Sequence, residues 1–237
     1  MRIPVIKGTI KRLLPALFRP KLHNGHSVAG VCLIRLEHIR PSRSPTAFGI
    51  SSENAAHRIV VQWTDDAGVE REGVFVPRRD TGSILNRIAG GRLFPGEHHA
   101  ARFEVVDVDG HIEFAMRSDD GKAEVKVVGN ETETLPAGSI FGSLPEASAF
   151  FEGGSLGYSV TKDADRLDGL LLRTLGWRVG ALSVASVRSS FFEDRAVFPE
   201  GSVEFDHVLI MRDIRHEWHK AEDLFTGSKA STAPAFR

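Results

Sequence analysis

The sequence predicts an α+β fold in which a mainly antiparallel sheet curls into a barrel or cone and carries a few short helices. Three observations lead there. Short apolar or alternating runs rich in Val, Ile and Phe recur along the chain, tight-turn residues separate them, and no full crossover helix sits between two strands as a doubly wound parallel sheet requires.

In chain order, Ile10, Leu13, Leu14 and Leu17 have helical spacing around Pro15, which predicts an amphipathic turn or two. Residues 28–36, VAGVCLIRL, read as a buried strand ended by the loop of Pro41 and Pro45. HRIVVQW (57–63) and EGVFV (72–76) flank Asp65-Asp66-Ala67-Gly68, a hairpin turn in which Gly68 takes positive φ. Asp80 or Thr81 then caps a short helix through Ile84, Leu85 and Ile88, stopped at Gly90-Gly91. From Ala100 the runs ARFEVVDV, HIEFAMR and AEVKVV are joined by Asp109-Gly110 and Asp120-Gly121, so these strands must be antiparallel. Ser143-Leu144-Pro145-Glu146 is a capping box whose helix ends at Gly153-Gly154, and further strands follow, SVEFDHVLIMR the cleanest.

The 237 residues fit a single domain: a basic N-terminal segment over 1–24, a core over 25–224 and a flexible tail over 225–237. One cysteine, Cys32, rules out an intrachain disulfide and a cysteine-based metal site, and fits a cytoplasmic protein. No run reaches the roughly 20 apolar residues of a membrane helix, so no stable membrane insertion is expected. The first 36 residues carry seven Lys or Arg and no acid, although the formal net charge is -1. That end either docks on its own acidic body or contacts a membrane surface or anionic partner. A pI near 6.8 and the lack of aromatic platforms in the basic run exclude a nucleic-acid surface.

Several motifs fall to a simpler explanation. Gly153 to Gly157 matches G-x-S-x-G, but a helix precedes it and a strand follows, the reverse of a nucleophile elbow. His216-Glu217-Trp218-His219-Lys220 lacks the second histidine of HExxH, so no metal is expected there. His98 and His99 are neighbours on a strand and point to opposite sides. Arg78 and Arg79 before a helix N-terminus make an anion cradle, or else ion pairs with Asp80 and Glu72. Arginine outnumbers lysine 22 to 8, which suits bidentate pairing in either case.

The segments SSENAAHRIVVQW, EGVFVPRRDTGSILNRIAGGRLFPGEHHAARF, FFEGGSLGYS, RLDGLLLRTLGW, RSSFF and FPEGSVEFDHVLIMR together resemble the DUF2071 family of bacterial proteins. That family is similar in fold to the acetoacetate decarboxylases, so the resemblance implies an antiparallel barrel-like domain around a central cavity, often in homo-oligomers. In the decarboxylases a lysine directly after Phe-Pro forms a Schiff base with a β-keto acid. Here Phe94 and Pro95 match, but Gly96 and Glu97 stand where the lysines would be, so imine decarboxylation is not expected. Glu53 resembles the decarboxylase glutamate before an Ala-Ala strand and is the candidate acid/base group. Arg78, Arg79, Arg92, Phe94, His98, His99 and Arg188 are the candidate ligand contacts.

The sequence thus points to binding of a small molecule, an anionic organic acid, in a central cavity, with lyase, hydratase or isomerase chemistry that uses no imine and no cofactor. The alternative is a ligand-binding or sensing module without turnover.

Overall fold

The computed structural model of the protein describes residues 2–4, 10, 13–39, 50–83 and 96–226. The meander is formed by β7 (His98–Val108), β8 (His111–Ser118) and β9 (Glu124–Thr132), all antiparallel. Asp109 and Gly110 take φ of 50° and 79°, the doubly positive turn that matches the twist of a two-residue hairpin. Upstream, β4 (His26–Ile39), β5 (Ile50–Thr64) and β6 (Glu70–Thr81) are also antiparallel. At their turn Asp65 Oδ1 accepts from the amides of Ala67 and Val69.

The sheet forks at β6. Its Val74–Val76 segment pairs in parallel with β10 (Leu156–Val160), and its Arg79–Thr81 segment pairs in parallel with β7. Between them the register slips from Ile59 opposite Phe75 to His57 opposite Arg78, leaving Val76 and Pro77 against Arg58 alone. Such a bulge tolerates the missing N–H of proline and bends the strand where it changes partners. The sheet is therefore antiparallel except at this fork. Parallel pairing needs a long connection, and both β7 and β10 arrive after one.

One branch continues from β10 to β11 (Arg166–Leu175), which pairs with β14 (Arg215–Lys220) and β15 (Leu224–Phe225). The other runs β7, β8, β9, β12 (Gly180–Ser189) and β13 (Val208–Ile210). Seven strand steps separate β4 from β13, roughly 34 Å in a flat sheet. Yet Val31 and Leu33 of β4 and Val208 of β13 pack on one cluster with Ala101, Phe114, Met116, Val125 and Val127, so the sheet curls around this apolar interior. It does not close into a barrel: among the described residues β4 and β13 form no ladder, and β1 (Arg2–Pro4) and β3 (Leu22–His23) pair along β4 instead.

The capped helix is α1 (Leu144–Glu152): Ser143 Oγ accepts from the Glu146 amide, and Glu146 reaches back to the Gly142 amide. Its Ala147, Phe150 and Phe151 cover Val28, Val60 and Val74 on the outer side of β4 to β6. A second helix, α2 (Ser190–Glu193), follows β12 directly. Ile10, Leu14 and Phe18 are buried against Ile59, Val61, Trp63 and Phe75, so this part of the basic segment docks on the body. No described helix is long and apolar enough to cross a membrane. The helix expected over 84–88, with Arg92 and Phe94, lies outside the described residues, as does the tail from 227.

Candidate functional site

Strand alternation splits the candidate residues between two faces. Cross-strand pairs Arg35–Glu53, Leu33–Ala55, His57–Arg78, Ala55–Asp80 and Asp80–His99 point into the curled interior. The intervening pairs Ile34–Asn54, Ala56–Arg79, Asn54–Thr81 and Arg79–His98 point out of it. Arg78 and Arg79 therefore never act together.

On the inner face Arg35, Glu53, Arg78, Asp80 and Asp120 are all paired. Arg78 donates from Nε and Nη2 to Asp80 at 2.7–3.0 Å and from Nη1 and Nη2 to Asp120 at 2.9–3.1 Å. Burial pushes the fully enclosed Asp80 carboxyl up, against the pull of Arg78, whereas Arg78 and Ser118 hold the more exposed Asp120 well below the usual carboxylate range. His99 lies 3.7 Å from Asp120, and Arg35 Nε donates to Glu53 at 2.5 Å. His57 is fully buried against Phe191 and Phe192, 3.9 Å from Asp80, and neither ring nitrogen has a hydrogen bond. Burial, with Arg78 adding to it, lowers its pKa to about 4.

The outer face is different. A cleft there is lined by Ile34, Leu36, Asn54, Ala55, Ala56, Arg79, Asp80, His98 and Trp218 and encloses about 30 Å³. β4 and β14 both line it, although five strand steps separate them along β4, β5, β6, β10, β11 and β14, so this branch curls too and makes the outer face concave. Arg79 donates to Ser159 Oγ at 2.9 Å and has no carboxylate within ion-pair distance among the described residues. Burial and the neighbouring Arg58 push its guanidinium down to about 9. Among the described residues Arg58, two residues beyond Ala56 on the same face, has no ion pair either, and its buried Nε lacks an acceptor. His98 Nδ1 donates to the Gly96 carbonyl, 3.2 Å away, and burial beside Arg79 lowers its pKa to about 4, so it is neutral at physiological pH.

The one acid nearby is Asp168 on β11, buried and already accepting from the Gly96 amide at 2.9 Å, with Arg166 at 3.4 Å. Gly96 has φ of 88°, and a Cβ there would fall 2.6 Å from Ser159 Cβ and 3.2 Å from the Val160 carbonyl. No side chain fits at this position without displacing β10.

Of the other candidates, Arg188 is exposed, pairs with Glu193 and is not among the residues lining the cleft. His216 to Lys220 form a strand, not the helix a zinc motif needs, and no cluster of metal ligands occurs among the described residues. Sequence reading missed Ser159, Asp168, Arg58 and Trp218. Asp168 carries a usable signal, a single acid inside the apolar run RLDGLLL. Trp218 was hidden in the stretch read only for metal spacing, and Arg58 needed the register.

Among solved structures the chain is similar to the acetoacetate decarboxylase of Legionella pneumophila, with a TM-score of 0.54 over 94% of this chain and 82% of that one, at 12% identity. At that identity the likeness shows the fold: the chain has an acetoacetate decarboxylase-like fold. No protein-family model matches the chain, and no match is found among curated protein sequences.

Proposed function

We propose that this protein binds a small organic anion in the cleft between β4, β6 and β14, with Arg79 as the anion contact and His98 beside it. The supporting observation is Arg79 itself: a half-buried cation lining the cleft, with one hydroxyl as its hydrogen-bond acceptor and no carboxylate within ion-pair distance among the described residues. A desolvated charge of this kind is stabilised by an incoming counter-ion, and guanidinium geometry suits a carboxylate. The finer assignment of the chain to the DUF2071 family rests on the sequence segments quoted above. The expectation of homo-oligomers rests on the same segments, and that of a cytoplasmic setting on the single cysteine, Cys32.

Schiff-base chemistry is not part of this reading. No lysine lies between Lys21 and Lys122, Lys21 is paired with Glu72, and the Gly96 position has no room for a side chain. If turnover occurs, neutral His98 is the proton-transfer group within the cleft, whereas Glu53 is paired with Arg35 on the other face.

The test is thermal denaturation of the full chain with small carboxylates and inorganic phosphate, repeated on Arg79→Gln. A ligand at 100 times its Kd stabilises by about 2.7 kcal/mol, and this gain is expected to vanish in the variant. Equal stabilisation of both proteins removes Arg79 from the site. Product analysis with any hit, compared between wild type and His98→Gln, separates an enzyme from a binding module.

A further inference from the structure

We infer that the cleft selects a monocarboxylate with an apolar body, its carboxylate on Arg79 and its chain lying against Ile34, Leu36 and Trp218. The inference rests on the anion-binding reading above and specifies the ligand class. Arg79 is the only cation among the described residues that line the cleft, since His98 is neutral and the Asp80 carboxylate points inward to Arg78. The one guanidinium lining this partly desolvated hollow pairs directly with one carboxylate; a second carboxylate would find no further cation in the lining.

The enclosed volume of about 30 Å³ is on the scale of a carboxylate group, not of a whole metabolite. Whatever carries the carboxylate must lie along the open side. That side is walled on β4 by Ile34 and Leu36 and on β14 by Trp218, whose ring is held edge-on by His216 with centroids 5.6 Å apart. An aliphatic or aryl chain gains there by leaving water, whereas a second charge finds no cation on those side chains, whose only polar atom is the indole nitrogen of Trp218.

Calorimetry on the full chain at neutral pH tests this with acetate, butyrate, hexanoate, hexanol, succinate and inorganic phosphate. Affinity is expected to rise about fourfold per added methylene, equivalent to about 0.8 kcal/mol each, with hexanol far weaker than hexanoate. Trp218→Ala is expected to flatten the series while leaving acetate unchanged. Ile34→Ala reads the same wall if the tryptophan variant does not fold. Acetate and hexanoate binding equally would overturn the apolar wall and leave the anion site standing. Succinate or phosphate binding more tightly than hexanoate would overturn the monoanion and likewise spare the anion site. Hexanol matching hexanoate, or no carboxylate binding at all, would overturn both readings.

Discussion

Arg78 and Arg79 are adjacent in the chain and opposite in circumstance. Arg78 points into the curled interior and spends its donors on Asp80 and Asp120; Arg79 points into the concave outer face and meets one serine hydroxyl. The first belongs to an ion cluster at the edge of an apolar core, with its donors already taken by two carboxylates. The second is a cation with no carboxylate within ion-pair distance among the described residues. Identical side chains one residue apart thus differ in role through strand alternation, and the difference makes opposite predictions for their removal.

The largest effect is expected at Arg78. Arg78→Met leaves the carboxylate of Asp80, fully excluded from solvent, without its charge partner, and breaking such a pair costs about 3–5 kcal/mol. Urea denaturation should show that loss, and Arg78→Met with Asp80→Asn should recover part of it. A double variant no more stable than the single one would mean that Asp80 is not what Arg78 stabilises.

Next in size is Gly96, which ties the concave face together by donating its backbone N–H to the Asp168 carboxylate. Gly96→Ala combines a positive φ with a Cβ 2.6 Å from Ser159, and the strain and displacement together should cost about 2–3 kcal/mol. A melting temperature unchanged in that variant would show that the strand can shift, reopening the position to a side chain.

The two faces were not equally legible in the sequence. The meander and capped helix were, because Asp109-Gly110 and Ser143 to Glu146 act through local chemistry that needs no partner from elsewhere. The fork was not. It depends on β7 and β10 reaching β6 from far along the chain, which no period in β6 encodes. The candidate site suffered for the same reason: Arg78, Arg79, His98 and His99 were identified as chemistry-bearing residues, but which of them share a face follows from register. Ser159 and Asp168, brought to Arg79 and Gly96 by that same pairing, had no sequence neighbour to announce them.

On the inner face, His57 supplies a pH test. Its pKa of about 4 in the folded protein lies below the ordinary 6.5, so between those values the unfolded chain binds a proton that the native state refuses. Stability is therefore complete above about pH 6.5 and falls as pH drops toward about 4, by about 2 kcal/mol between pH 7 and pH 5. Arg78 and Asp80 are the charged groups facing the ring, and Asp80 remains paired through this window. Urea midpoints for wild type and His57→Leu should converge in their pH dependence only if another group dominates; His98, lowered to a similar value on the outer face, is the control to substitute next.

The smallest effect has the opposite sign. Arg79→Gln removes a half-buried charge that no acid balances, while its amide can still donate toward Ser159, so the unliganded protein should gain about 1 kcal/mol. The same substitution should abolish stabilisation by carboxylates. A gain in stability paired with a loss of ligand response is what a binding site predicts, because the cation is kept at a cost to the empty fold. A loss of stability on substitution would place Arg79 with Arg78 as a structural residue, and the contrast between the two faces would collapse.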